Sequence, residues 1–369
     1  MTSGMAASVP TTSVRRAPCR VAAAIVILGL LAGGWSVPAE QDAAPLVATP
    51  SSPGTDGTAH ARSVVAIGMT VNDATRSTAF FRDVLGFERI AEMDLSGPAY
   101  DRLWGVVGAH ARVVRLRLGS EMLELTEFVT PKGRPYPTES RSNDRWFQHV
   151  AIVVSDMGAA YARVRPHVQP ISTAPQILPR SNRAAAGVAA FYFRDPDGHP
   201  LELIHFPPGK GDPRWQASAG RLFLGIDHTA IGVGATAASL AFYRDALGLR
   251  IAGESHNVGT EQARLTGITG ADVRITGLRP PRAIPGVEIL EYTAPRDGRP
   301  FPAEARVNDA VHWHTILAVE SVAVAMATLR RGGYAPASED VALPDSALGY
   351  AHAALVDDPD GHAVELVSP

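Results

Sequence analysis

The sequence predicts an α+β protein built from four βαβββ-like units, and two observations predict it. The chain repeats itself, and each repeat runs twice through the same cycle of strand, helix and further strands. The repeat is exact in places: AFFRDVLGF (Ala79–Phe87) returns as AFYRDALGL (Ala241–Leu249), GRPYPTESRSND (Gly133–Asp144) as GRPFPAEARVND (Gly298–Asp309), and DPDGHPLEL (Asp195–Leu203) as DPDGHAVEL (Asp358–Leu366). Two homologous domains are expected, 63–215 and 222–369, joined by the polar stretch Pro207–Arg221.

From the amino terminus, Arg15, Arg16 and Arg20 precede an apolar run from Val21 to Trp35, and Val37-Pro38-Ala39 places small residues before a cleavage point. Residues 1–39 therefore read as a secretory signal peptide and the protein as exported to the periplasm or medium; it would be membrane-anchored only if the segment were retained. The run is shorter than the roughly 20 residues of a spanning helix. Residues 40–62, rich in Ala, Pro, Ser, Gly and Thr, read as a flexible linker.

In the first repeat VVAIGMTV (Val64–Val71) is strand-like. Asp73 can cap a helix whose apolar residues Phe80, Phe81, Val84 and Leu85 recur at helical spacing, and Gly86 can end it. Strands follow at Ala111–Leu118 and Glu121–Phe128, and after the GRPYP loop the cycle restarts. HVAIVV (His149–Val154) is a strand, a helix begins near Met157, and Phe191–Phe193 and Leu201–Phe206 flank the DPDG turn.

Composition narrows the chemistry. With 46% hydrophobic and 19% charged residues in 369 the chain can bury a core, and a net charge of −3 leaves no basic excess for nucleic acid. Cys19 is the only cysteine, which removes disulfide frameworks, thiolate zinc clusters and redox CxxC motifs. A metal would be held by carboxylates and some of the 12 His.

The FFRDVLG helix end, the strand starts QHVAIVV and DHTAIGV, and the DPDGHxxEL endings resemble the vicinal oxygen chelate superfamily, which includes glyoxalase I, methylmalonyl-CoA epimerase, extradiol dioxygenases and bleomycin-resistance proteins. The resemblance covers everything from Val64 onward. It implies two tandem glyoxalase-like domains, paired βαβββ units curving into open β-cups, and one divalent ion (Zn, Ni, Mn or Fe) held by strand residues. The family's ligand positions carry His228, Glu291, His314 and Glu365 in the second copy and Ala66, Glu124, His149 and Glu202 in the first, so the first copy is one ligand short. Units can pair within a half or be exchanged between halves. Direct pairing is the simpler expectation; exchange would group His228 and Glu291 with His149 and Glu202, and leave Ala66 and Glu124 with His314 and Glu365.

Neighbouring residues have plainer readings. Glu121 and Glu288 have the opposite strand parity to the expected ligands and should point outward, and His199 and His362 read as exposed turn residues. His312 shares parity with His314, which is preferred as the match to His149. His352 and Tyr350 are candidate acid, base or substrate anchors before the last turn. Arg141 and Arg306, beside the GRP-[YF]-P loops, either link units or bind a substrate carboxylate.

Three activities compete. A four-ligand site with Glu291 or Glu365 as base suits glyoxalase- or epimerase-like proton transfer on a small vicinal-dioxygen substrate, a lyase or isomerase reaction. An extradiol-type Fe(II) dioxygenase would use His228, His314 and Glu365, but Leu355 stands where the first copy has the family's Tyr, Tyr192. A non-catalytic binder would have lost the ligands. Export disfavours glutathione and CoA thioesters as substrates. The partner expected is a small molecule, and the chain a monomer or homodimer.

Overall fold

A computed structural model describes residues 60–281, 285–344 and 348–369. The expected leader and nearly all of the expected linker lie outside the described residues. At the linker's end, Ala61 is already buried and donates its amide to Leu247 O at 2.8 Å. No helix among the described residues is long and apolar enough to cross a membrane.

The first unit runs β1 (Ser63–Thr70), α1 (Ala74–Asp83), β2 (Glu88–Ser96), α2 (Pro98–Trp104), β3 (His110–Leu118) and β4 (Glu121–Thr130). The Asp73 side chain accepts from Arg76 N at the start of α1, and Gly86 takes the left-handed conformation (φ 75°) just beyond its end. The second unit runs β5 (Gln148–Val154), α3 (Met157–Val164), the short β6 (Gln169–Pro170) and β7 (Gln176–Ile177), β8 (Ala189–Arg194) and β9 (Pro200–His205). The third has β10 (Phe223–Val233), α4 (Thr236–Leu240) continued by a π-helical turn, β11 (Arg250–Val258), α5 (Thr260–Thr266), β12 (Asp272–Arg279) and β13 (Gly286–Ala294). The fourth has β14 (Trp313–Ala318), α6 (Val322–Arg331), β15 (Val341–Ala342), β16 (His352–Asp357) and β17 (Ala363–Ser368).

The units pair by exchange, not directly. One sheet has the order β15-β16-β17-β14-β1-β4-β3-β2 and joins the first unit to the fourth; the other, β11-β12-β13-β10-β5-β9-β8-β6, joins the second to the third. The seams are antiparallel, β1 on β14 with Gly68 opposite His314, and β10 on β5 with Ala230 opposite His149. The expectation of direct pairing is thereby overturned. Strand patterning cannot reveal this, because β5 and β14 are homologous and either could complete β1.

Strand parity divides the interior. Ile67, Leu116, Leu123, Leu125, Val287 and Ile289 face the helices and share one core with Phe81, Phe242 and Met326, into which all four units project. Opposite-parity residues line the two cups: Ala66, Val113, Ile316 and Leu355 in one, Ala190, Ala230, Val273 and Leu290 in the other. The repeats also clasp each other outside the sheets. Arg134 donates its backbone N and guanidinium to Asp309, and Arg299 does the same to Asp144. A Cβ on Gly133 would lie 1.7 Å from Asn308 O, so this crossing requires glycine. Arg141 joins the clasp through Asp297 at 2.9 Å, a linking role. His199 and His362 are buried, against expectation: His199 Nε2 lies 3.0 Å from Thr70 O and 2.9 Å from Ala310 O, and His362 Nε2 lies 2.8 Å from Gly232 O. His362 pins its DPDG turn to the preceding unit of the same repeat, and His199 ties its turn both to that unit and to Ala310 of the second repeat.

Candidate metal centre

The cup formed by the second and third units gathers two imidazoles and two carboxylates. His149 is on β5, Glu202 on β9, His228 on β10 and Glu288 on β13. A register shift between Ile226 and His228 in β10 marks the kind of bulge that re-aims a side chain. His149 Nε2 lies 3.0 Å from Glu202 Oε2, and His228 Nε2 lies 3.6 Å from the same oxygen and 3.3 Å from Glu288 Oε2.

His149, Glu202 and His228 fit a divalent ion, their ligand atoms all within 4.8 Å of one another, and Glu288 stands beside His228. Donors bound at about 2.1 Å around one ion sit roughly 3.0–3.4 Å from one another, close to the separations seen here. The ring nitrogens of His149 and Nε2 of His228 are buried without a partner of hydrogen-bonding geometry, so the carboxylate oxygens beside them are not serving as acceptors. Burial opposes a charge on His228, yet Glu288, Asp227 and Glu202 together raise its pKa to about 10, the signature of a cage that wants a cation at its centre.

Behind His228, Asp227 Oδ2 receives Nδ1 of the imidazole at 2.9 Å and Nη2 of Arg279 at 2.8 Å, while Oδ1 accepts from Trp215 Nε1 at 2.8 Å. Burial would favour the protonated carboxyl, but His228 and Arg279 hold Asp227 far below the usual carboxylate range. The carboxylate keeps a proton on Nδ1, so that loss of the other ring proton, as on metal binding, would turn the Nε2 lone pair toward Glu202 and Glu288. A cavity of about 570 Å³ opens over the group, walled by Leu178, Val188, Ile204, Phe206, Leu265 and Ile275. Tyr192 also lines it, opposite Glu202 in register and with its ring 4.8 Å from that of His149. Its two basic residues are engaged, Arg279 with Asp227 and Lys210 with the carbonyls of Arg183 and Ala184.

Of the four residues expected to share a site, only His228 is here. Glu291 lies on the helix-facing side of β13, accepting from Thr236 N at 3.2 Å and Thr236 Oγ1 at 2.7 Å at the start of α4; it is an anchor for that helix, neither ligand nor base of this cup. Glu127 holds the start of α1 in the same way, accepting from Ala74 N. Glu288, expected to point outward, is the residue that faces His228. The signal was in the sequence: Glu124 and Glu288 each stand seven residues before the proline that ends their strand, Pro131 and Pro295, whereas Glu127 and Glu291 each stand four before it.

His314 and Glu365 belong to the other cup, with Glu124 from the first unit. His314 Nε2 lies 3.4 Å from Glu365 Oε2, and Tyr350 donates to Glu365 Oε1 at 3.0 Å. Burial and Glu124 raise the Glu365 carboxyl to about 8. Burial, with His314 beside it pushing in the same direction and Asp309 opposing, lowers His312 to about 3. His352, expected near the chemistry, is half-exposed with Nδ1 2.9 Å from Asp340 Oδ1, three residues from Leu355 and so on the opposite face from Glu365. Tyr350, His352 and Glu365 are therefore remote from His228, on the other sheet.

The pattern of the Glyoxalase/Bleomycin resistance protein/Dioxygenase superfamily matches this chain twice, over residues 63–203 and 225–366. Among solved structures, glyoxalase I from Zea mays aligns with 83% of this chain and 92% of its own at a TM-score of 0.54 and 15% identity. A Bacillus subtilis protein provisionally assigned as a dioxygenase aligns with 84% of this chain and 86% of its own, at a TM-score of 0.52 and 11% identity. At those identities the likeness is one of fold. No curated protein matches the chain significantly. The two matched segments span most of the sequence, and the chain belongs to the glyoxalase/bleomycin resistance protein/dioxygenase superfamily.

Proposed function

We propose that the protein is a metal-dependent enzyme of the lyase or isomerase type, in which His149, Glu202, His228 and Glu288 hold one divalent ion beneath the cavity. The convergence of His149, Glu202 and His228, whose ligand atoms all lie within 4.8 Å of one another, carries this reading, with Glu288 3.3 Å from His228 as the fourth donor proposed. When bound, the ion would supply Lewis acidity to two adjacent oxygens of a small substrate and acidify the neighbouring C–H. The chain's own part is to move that proton. Glu202 is buried between both imidazoles and is suited to stay a ligand, whereas Glu288, with 27% of its side chain exposed on the cavity wall, is suited to accept it. The cavity mixes apolar walls with Asp212, Glu254, Ser255 and Asn257, and its two cations are engaged, so it lacks a free positive group for an anionic conjugate.

The test is solvent deuterium incorporation into hydroxyketones of increasing apolar bulk. Exchange should depend on added zinc, nickel or manganese and be lost in Glu288→Gln protein that still carries metal. Exchange that survives that substitution refutes the assignment of the base.

One observation favours a ring-cleaving Fe(II) dioxygenase as the second reading. Exchange of units brings His228 to Tyr192, His149 and Glu202 of the second unit; the ligand atoms of His149, Glu202 and His228 lie within 4.8 Å of one another, and the site so formed has the tyrosine missing from the direct arrangement. Oxygen uptake on catechols by iron-loaded protein would decide for it. Export belongs to the proposal as well: amino-terminal sequencing of protein recovered outside the cytoplasm should begin near Glu40.

A further inference from the structure

The cup of the first and fourth units keeps three of the four positions that converge in the other. Glu124 matches Glu288, His314 matches His149 and Glu365 matches Glu202, while Ala66 stands in the place of His228. A second difference accompanies the missing imidazole. In the open cup Gly277 is opposite Glu288 and lines the cavity, and a Cβ there would meet nothing closer than 3.7 Å. In the other cup the residue opposite Glu124 is Arg115.

Arg115 projects across that space. Its Nε donates to Glu124 at 2.8 Å and its Nη1 to Leu348 O of the fourth unit at 2.7 Å; the guanidinium also lies 5.8 Å from the Tyr350 ring, while Tyr350 itself binds Glu365. The side chains of Arg115 and Glu124 are only 14% and 6% exposed. Glu124 therefore has a guanidinium partner from the neighbouring strand, where Glu288 has only Gly277 opposite it and the imidazole of His228 beside it. The guanidinium also bridges the first unit to the fourth, the same seam that an ion held by His149, Glu202, His228 and Glu288 would bridge between the second and third.

We infer that Arg115 is the built-in cation of this cup, standing in for a metal ion, so that the chain takes one divalent ion and its second cup is held shut by a side chain. Positive charge in a cup of carboxylates balances their repulsion, and a guanidinium does so permanently, without regard to metal supply. The missing imidazole and the added arginine act together: the first removes a ligand, the second fills the place of the ion.

The inference rests on the metal reading of the open cup, and its test separates the two. Full-length protein is loaded with excess cobalt, desalted and analysed for metal per chain. Wild type should hold one ion, His228→Ala none and Arg115→Gly one. The double substitution Ala66→His, Arg115→Gly, which rebuilds the residues of the open cup, should hold one ion more than wild type. A folded double variant with no gain overturns the inference, as does a wild type with two ions of which Glu124→Gln removes one. If the double variant does not fold, the comparison of wild type with His228→Ala decides: cobalt retained after His228→Ala and lost on adding Glu124→Gln overturns it. A wild type without metal sinks the catalytic reading alone, because the gain of one ion on double substitution would still locate Arg115 in the place of the metal.

Discussion

Replacing Asp227 by Asn should weaken metal binding without touching a ligand. The Asp227 carboxylate takes three donors at 2.8–2.9 Å, from His228, Trp215 and Arg279, and of the three only His228 can turn acceptor, by moving its ring proton. Asn offers one acceptor oxygen and an NH2. If the oxygen stays with Arg279 and Trp215, the amide donates toward His228 Nδ1, and the ring proton moves to Nε2, where it faces Glu202 and Glu288 and blocks coordination. Loss of such an outer partner costs about 10–100-fold in metal affinity, or about 1.4–2.8 kcal/mol. Competition of wild type and Asp227→Asn against a chromophoric chelator at fixed pH measures it, and thermal unfolding of both proteins in chelator reports any damage to the fold. A variant that unfolds like wild type and binds cobalt within about twofold of it would refute the claim that Asp227 sets the His228 tautomer.

Two further outcomes follow from the same geometry. Glu288→Gln and Glu291→Ala should part company: the first lowers metal affinity, whereas the second leaves metal affinity intact and costs about 1–2 kcal/mol through the lost anchor of α4, read by denaturant titration. The pH dependence of stability should differ between apoprotein and metal-loaded protein. The His228 pKa is raised in the fold, so its protonation stabilises the apoprotein fully below its unfolded value of about 6.5, and that contribution fades as pH rises through about 10. Metal competes with the same proton, so stabilisation by metal grows over the same interval. Chelator-treated and cobalt-loaded samples unfolded from pH 6 to about 10 should diverge, and parallel curves would show that His228 is not the shared site.

The fold was largely legible because its signals are local and occur twice. Capping by Asp73, the turn at Gly86 and the apolar runs of β3, β4, β5 and β9 all lie where the pattern put them. β2 and α2, and their counterparts β11 and α5, leave no pattern in the sequence for a physical reason: both strands are edge strands, mostly exposed, and carry almost no alternation. The site was legible only by residue type. His149, Glu202 and His228 were all recognised as ligand candidates, but their assembly depends on which unit completes which sheet, a choice between homologous strands that no local pattern encodes. The confusion of Glu288 with Glu291 is different in kind. Both are glutamates on one strand three residues apart, so a slip of three reverses the face; the packing of Val287 and Ile289 against the helices settles it.

Exchange also makes the repeats dependent on each other. Residues 60–215 contain β1 and β5, but in the native chain β1 is completed by β14 and β5 by β10, both from the second repeat. Produced alone, that segment would expose two long seam strands whose inner faces are apolar, including Ile67, Met69, Val150 and Ile152. Since β10 is the counterpart of β1, and β14 of β5, two copies can satisfy each other: β1 of one pairs with β5 of the other, and the reverse, remaking two cups with four units. The isolated first repeat should therefore be a dimer by sedimentation, unfolding at a concentration-dependent temperature, and its cups should combine Ala66 and Glu124 of one copy with His149 and Glu202 of the other. A folded monomer with concentration-independent unfolding would show that β1 and β5 can pair within one repeat. Exchange would then be a choice made by the connection Pro207–Arg221 and not by the strands themselves.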